Sequence, residues 1–287
     1  MQRILLATDF SERSDRAARR ATLLAKTTGA SLALVHVVDD DRPKRIFEAE
    51  QRAAEALLAE QARSFREIDG LSCTSRIVMG DPFEGIAAAV RETDADLLVV
   101  GPHRRQVLRD VFIGTTAERT IRASERPVLM ANGVPAGPYR HVLVAVDLSE
   151  CSATAIRALQ KLGLGSKCVV SVVHIFDAPA ASLMVRASST KEGIRNYLED
   201  EKERVSGELA AFLNDIGLKP KRRILKHNET SIAHTIAATV REANADLVVV
   251  GTVGRTGVAK VLLGSVAEKV LRRADFDILA VPPVRET

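Results

Sequence analysis

The sequence predicts an α/β protein written as one unit twice, each copy an open, parallel, five-stranded sheet wrapped by helices, with the copies in a pseudo-two-fold tandem. Three observations carry that expectation: a repeat running along the whole chain, short β-branched runs alternating with longer helical periodicities, and an almost wholly aliphatic apolar content. Aromatic residues make up 3% and Trp is missing, so the core must come from Val, Leu, Ile and Ala. A chain of 287 residues suits two domains of average size, expected at 1–131 and 140–283.

The repeat is legible residue by residue. Ile4-Leu5-Leu6-Ala7-Thr8-Asp9-Phe10-Ser11-Glu12 parallels Val142-Leu143-Val144-Ala145-Val146-Asp147-Leu148-Ser149-Glu150, and Val35-His36-Val37-Val38-Asp39 parallels Val173-His174-Ile175-Phe176-Asp177, both at an offset of 138 (147 − 9; 174 − 36). Ala95-Asp96-Leu97-Leu98-Val99-Val100-Gly101 parallels Ala245-Asp246-Leu247-Val248-Val249-Val250-Gly251, and Gly114-Thr115 parallels Gly264-Ser265, at 150 (251 − 101; 264 − 114). The second copy therefore carries an insertion between these blocks. The stretch 132–138, rich in turn formers, reads as the linker.

Taken in order, strands are expected at Ile4 to Thr8, Ser31 to Val38, Leu97 to Val100 and Pro127 to Met130. Their counterparts are Val142 to Val146, Val169 to Phe176, Leu247 to Val250 and Asp277 to Val281. A weaker fifth strand follows each long charged helix, at Ser72 to Val78 after 44–68 and at Lys221 to Leu225 after 192–216. Unbroken apolar runs imply sheet faces covered on both sides. Pro127 to Met130 and Asp277 to Val281 are apolar enough to be costly as open edges, so they should be paired or covered.

Charge and cysteine content exclude several classes. The formal charge of +4 is spread along amphipathic segments, and the one basic run, 219–223, reads as a solvated loop, so a nucleic-acid partner is not expected. Cys73, Cys151 and Cys168 form no C-x-x-C pair and no even framework, which speaks against a zinc knuckle or a disulfide scaffold and for a reducing compartment. Apolar stretches stop short of membrane-spanning length, and the start runs into a strand pattern without a signal region. The expectation is a cytoplasmic protein.

Ligands of open parallel sheets sit beyond the carboxyl ends of the strands, where crossovers diverge. There the second copy places Gly251-Thr252-Val253-Gly254, then nine residues, then Gly264-Ser265 opening a helix. Glycine permits positive φ and close ligand approach, and helix-start amides face an anion. Ser265 with Glu268, and Thr115 with Glu118, also read as capping boxes, which would occupy the hydroxyls locally. His36 and His174 recur but read as packed or surface residues, as do His227 and His234, and no metal site is expected.

The pattern G-x2-G-x9-G-S after the fourth strand resembles that of the nucleotide-binding universal stress proteins, and the resemblance extends to the strand-one Asp, the His pair ending strand two, the A-D-L block and the last strand. It implies a Rossmann-like, adenine nucleotide alpha hydrolase-like fold. By position it implies that Ala145, Val146 and Asp147 lie against adenine and ribose and that the Ile175 backbone reads the base edge. Val250 and Gly251 would line the ribose, with Val253 beside them, and Gly254, Gly264, Ser265 and Val266 would hold the phosphates. Arg255 and Lys260 lie within the loop, and a turn or cap role for Asp147 stands as an alternative.

The first copy departs from this pattern. Its corresponding site would comprise Ala7, Thr8, Asp9, Val37, Val100, Gly101, Arg104, Gly114 and Thr115, with Arg104 where the second glycine stands. If that position needs positive φ, Arg104 costs about 1 kcal/mol, so a degenerate or altered site is expected. Conversely the first copy keeps the turn Gly80-Asp81-Pro82, where the second has Thr230-Ser231-Ile232.

No G-x-x-x-x-G-K-[ST], G-x-S-x-G or nucleophile–base pair stands out. The leading expectation is a stress-response, adenine-nucleotide-binding regulatory protein holding ATP or AMP, with Mg2+ carried on the phosphates. Two alternatives stay open, a scaffold or apolar-ligand-binding protein and a slow ATPase. The resemblance implies pairing of the two domains within the chain; a homodimer and a protein partner are left open.

Overall fold

A computed structural model describes residues 1–41, 43–102, 116–187, 190–254 and 263–284. The first copy runs β1 Arg3–Ala7, α1 Glu12–Thr28, β2 Ser31–Val38, α2 Lys44–Glu67, β3 Cys73–Met79, α3 Pro82–Thr93, β4 Leu97–Val100, α4 Thr116–Ala123 and β5 Val128–Met130. The second runs β6 His141–Val146, α5 Glu150–Leu162, β7 Val169–Phe176, α6 Pro179–Arg186, α7 Lys191–Ile216, β8 Arg222–His227, α8 Ile232–Ala243, β9 Leu247–Gly251, α9 Ser265–Arg273 and β10 Asp277–Val281. The extra element of the second copy, α6, lies between β7 and α7 and, with its flanking residues, accounts for most of the shift in repeat offset.

Helix boundaries follow local chemistry. Ser11 and Ser149 cap α1 and α5 by accepting from the amides of Ser14 and Ser152, and Gly29 and Gly163 end them in the left-handed conformation at φ 74° and 72°. Asp81 caps α3 through the amides of Phe83 and Glu84, whereas Ser231 caps α8, so the two different turns do the same work.

Among the described residues the strands form one continuous sheet, in the order β3-β2-β1-β4-β5-β10-β9-β6-β7-β8. Each half is parallel, and the halves join where β5 and β10 pair antiparallel, Leu129 opposite Leu279. Those leucines are equivalent in the repeat, so the pseudo-two-fold axis passes between them. The two five-stranded sheets thus close each other's inner edges. The outer strands β3 and β8 carry exposed Arg76, Arg222 and Arg223, which suits edges that must not recruit another strand.

Helices cover both faces. Ala17, Ala21 and Leu24 of α1, Leu58 and Phe65 of α2, Ile156 and Leu159 of α5 and Leu209 and Leu213 of α7 share one core. Ile86 and Val90 of α3, Ile121 of α4, Ile236 and Val240 of α8 and Val270 and Leu271 of α9 share the other. Both cores cross the junction, since Leu129 and Leu279 lie in the first and Val128, Met130, Ile278 and Ala280 in the second. At about 1.5–3 kcal/mol per fully buried aliphatic side chain, this shared burial makes the domains one body.

The segment 132–138 is more than a spacer. Asp277, 1% exposed at the start of β10, accepts from Arg20 Nε of α1 at 2.8 Å, from the Tyr139 hydroxyl at 2.7 Å and, through its other oxygen, from the Gly133 amide at 2.8 Å. Burial, reinforced by the Asp277 charge, pushes the Tyr139 phenol well above its ordinary range and keeps it a donor. Arg20 Nη1 donates to Gly137 O and Arg19 Nε to Pro135 O, both at 2.8 Å, while Asn132 Nδ2 reaches Phe276 O at 3.0 Å. The linker is thereby strapped to both copies.

Removing one partner from a buried ion pair leaves the other charge uncompensated, at a cost of about 3–5 kcal/mol. Asp277→Ala should therefore lose that much in urea unfolding, whereas the double change Arg20→Met with Asp277→Leu should lose less. A single-variant loss below about 1 kcal/mol would contradict the clamp.

Candidate functional site

In each half the order of strands turns back beside its first strand: β6 lies between β7 and β9. The carboxyl ends of β6, β7 and β9 consequently bring Val146, Ile175 and Gly251 to one rim, with Ala145 one residue below. Val146 and Val250 are buried, and Ala145, Ile175, Val253 and Val266 are half-buried.

The turn after β6 is built around Asp147. Its Oδ1 accepts from the Ser149 amide at 3.1 Å, the Ser149 hydroxyl at 2.5 Å and the Ser152 hydroxyl at 2.6 Å, while its own amide donates to Ser152 Oγ at 3.0 Å. This network holds Leu148 at φ 63°, a left-handed conformation that costs a non-glycine residue about 1 kcal/mol. His174 Nδ1 donates to the Val146 carbonyl at 2.8 Å and fixes the strand end.

The first copy repeats the device. Asp9 binds the Ser11 amide and hydroxyl and the Ser14 hydroxyl, Phe10 sits at φ 58°, and His36 Nδ1 meets the Thr8 carbonyl at 2.8 Å. Thr8 adds an acceptor for the Phe10 amide at 3.1 Å, where the second copy has Val146. Sequence reasoning missed the serines and the histidine contacts, although the recurrence of D-x-S-x-x-S at one offset was the signal for them. The turn role weighed for Asp147 is therefore occupied, and Oδ1 serves the loop.

The glycines act differently from expectation. Gly101, Gly251, Gly254 and Gly264 do not have positive φ. Close approach is what requires them. A Cβ on Gly251 would lie 3.1 Å from Cys151 O, and one on Gly101 would lie 2.8 Å from Arg13 O, because the ends of β9 and β4 press on the first turns of α5 and α1. A Cβ on Gly254 would meet Asp147 Oδ2 at 3.1 Å, and one on Gly264 would meet Thr252 O at 3.3 Å. Gly264 N donates to that carbonyl at 2.6 Å, drawing the start of α9 against the residues after β9. The positive-φ argument against Arg104 therefore finds no support in its counterpart Gly254.

The Ser265–Glu268 capping box is also corrected. Gly264 is the cap residue, no side chain caps the helix, and Ser265 is its exposed first residue. Glu268 N donates to Gly264 O at 2.9 Å, but the carboxylate binds Arg272 Nη2 at 2.8 Å instead of folding back. The first-turn amides of Ser265 and Val266 have no carbonyl within their own helix to donate to. In the first copy Glu118 is engaged by Arg272 Nε at 3.1 Å. Arg104, Gly114, Thr115, Arg255 and Lys260 lie outside the described residues, whereas Ala7, Thr8, Val37, Val100 and Gly101 line the corresponding rim. Among the described residues no three His, Cys, Asp or Glu side chains could hold a metal ion, and no helix is long and apolar enough to cross a membrane.

A sequence model of the universal stress protein family matches residues 1–132 and again 138–282. The chain is similar to universal stress protein E of Escherichia coli K12, at 24% identity covering 98% of this chain and 94% of that protein. A universal stress protein of Methanocaldococcus jannaschii is 28% identical over half of this chain and 82% of its own length. Among solved structures, a universal stress protein from Archaeoglobus fulgidus superposes with a TM-score of 0.69 at 20% identity, covering 98% of each chain.

The serine-lined turn of the first copy carries a pH signature. Burial pushes the Asp9 carboxyl up, but the hydrogen bonds from Ser11 and Ser14, with Arg13 nearby, outweigh it and hold the group below the ordinary carboxylate range. A lowered folded value stabilises the fold above the unfolded pKa, about 4, and that stabilisation is lost as pH falls through the folded value. Melting followed by circular dichroism should show a midpoint that drops between pH 5 and pH 2, less steeply in Asp9→Asn. Parallel drops in both proteins would refute the assignment.

Proposed function

The chain belongs to the universal stress protein family, and from that premise we propose that it is a cytoplasmic stress-response protein whose second domain binds an adenine nucleotide, ATP or AMP, as a regulatory ligand and not as a substrate for rapid turnover. The observation that carries this reading is the uncapped start of α9, drawn against the Gly254 rim beside Asp147. The amides of Ser265 and Val266 and the positive end of the helix suit a phosphate tail. The exposed Ser265 hydroxyl can turn toward it.

The same rim suits the rest of the ligand. Ala145 and Val146 present a half-apolar wall for a base, and the Ile175 backbone stands one strand away. Val250, Gly251 and Val253 flank the ribose position. A Cβ at Gly254 or Gly264 would fill the cradle, so the residues present fit the group. Mg2+ would travel with the phosphates, which bring most of its oxygen ligands.

Turnover is disfavoured by the engagement of Asp147, a carboxylate at the rim. Asp147 Oδ1 already accepts three hydrogen bonds, which tie it to the turn and leave it committed to the loop. In the first domain Arg104 replaces the second glycine, and we assign that site an altered, weaker role.

Isothermal titration of the full chain with ATP and with AMP should give saturable heat at one site. Gly254→Asp adds a carboxylate beside Asp147 and the phosphates; it should abolish binding while shifting the melting midpoint by no more than a few degrees. Folded wild-type protein that gives no heat with either nucleotide would end the proposal.

A further inference from the structure

The helices that begin at the two glycine loops meet across the pseudo-two-fold axis through charge. Glu268 is the acidic residue in the first turn of α9, one turn inside the proposed phosphate position. Its Oε1 binds Arg272 Nη2 of the same helix at 2.8 Å, and its Oε2 faces Arg122 Nη2 at 3.6 Å. Arg122 belongs to the last turn of α4, in the other domain. The arrangement is reciprocal, for Arg272 Nε binds Glu118, the first-turn acid of α4, at 3.1 Å. Glu118 and Glu268, like Arg122 and Arg272, are equivalent in the repeat.

A carboxylate in the first turn favours a bare helix through the dipole but opposes a polyanion bound at the same end. Glu268 is about one-quarter exposed and Arg122 about one-third, so water screens this pair less than a surface pair. Bracketing by two guanidinium groups neutralises the acid and turns it away from the helix start, leaving the amides of Ser265 and Val266 to the ligand.

We infer that Arg122, supplied by the first domain, is a positioning residue for the nucleotide site of the second: it neutralises Glu268 and so sets the affinity of that site for the phosphate tail. This rests on the nucleotide reading above. It makes the first domain part of the second domain's site, even though its own glycine loop departs from the pattern. A plain interdomain ion pair would affect stability alone.

The full chain, Arg122→Gln, Arg122→Lys, Glu268→Gln and the double variant Arg122→Gln with Glu268→Gln should be titrated with ATP and with adenosine, and their melting midpoints recorded. Arg122→Gln should bind ATP about five- to tenfold more weakly, the low end of typical coupling between sites, while adenosine changes by less than about twofold. Arg122→Lys should keep most of the ATP affinity, and adding Glu268→Gln should restore it. Should Arg122→Gln lower the melting midpoint but leave the ATP-to-adenosine ratio unchanged, or should Glu268→Gln fail to restore ATP binding, Arg122 is only glue between domains. Wild-type protein that binds adenosine but not ATP also overturns the inference, whereas wild-type protein that binds neither fails at the nucleotide reading itself.

Discussion

The antiparallel pairing of β5 with β10 is the constraint on which the rest of the molecule depends. Each strand is short, wholly buried and, apart from Asp277, apolar, and each would otherwise present unpaired amides and carbonyls beside hydrophobic side chains. Pairing Leu129 with Leu279 removes both edges at once and merges the cores on either face of the sheet. It also fixes what lies beside the axis. On one side α4 and α9 are brought within ion-pair reach, and on the other Asp277 comes under Arg20 and the strap 132–138.

This second consequence breaks the symmetry of the repeat. The counterpart of Arg20 in α5 is Ala158, and the counterpart of Asp277 is Pro127, so the buried ion pair exists on one side of the axis only. The chain must pass from Met130 to His141 on that side, and polar backbone there needs partners. Arg16, Arg19 and Arg20 supply donors to the carbonyls of Asn132, Pro135 and Gly137. The arginine-rich face of α1 is thus explained by the connection it covers.

Much of this was legible in the sequence, for reasons that can be named. Ser31–Val38, Val169–Phe176 and Asp277–Val281 are strands over the ranges their β-branched runs indicate, because strands covered on both faces leave an unbroken apolar record. The edge strands β3 and β8 shift by a residue or two, since an exposed edge alternates with charge and blurs its limits. The clamp could not be read at all: Arg20 and Asp277 stand 257 residues apart, and nothing local marks either as buried. Glycine identity was legible but its reason was not. Gly251 and Gly101 are required by the helix turn pressed against them, a fact of tertiary distance. The capping box at Ser265 failed because Glu268 found arginines, one of them in the other domain, that a local motif cannot foresee.

The two copies also separate what the fold needs from what a ligand needs. The Asp-Ser-Ser turn, the left-handed residue inside it and the histidine on the strand end are the same in both, so they belong to the scaffold that shapes the rim. The glycine loops differ in sequence, so the proposed ligand chemistry is assigned to the loop and to the helix start it leads to. That helix joins both features of the molecule. With nine residues, α9 is a rod of about 13 Å. One end lies at the Gly264 cradle, and the other carries Arg272 into the interdomain charge cluster and leads through Ala274 to Asp277 in the clamp. Close-packed elements move as units, so whatever settles the start of α9 acts on the same body that holds the domains together.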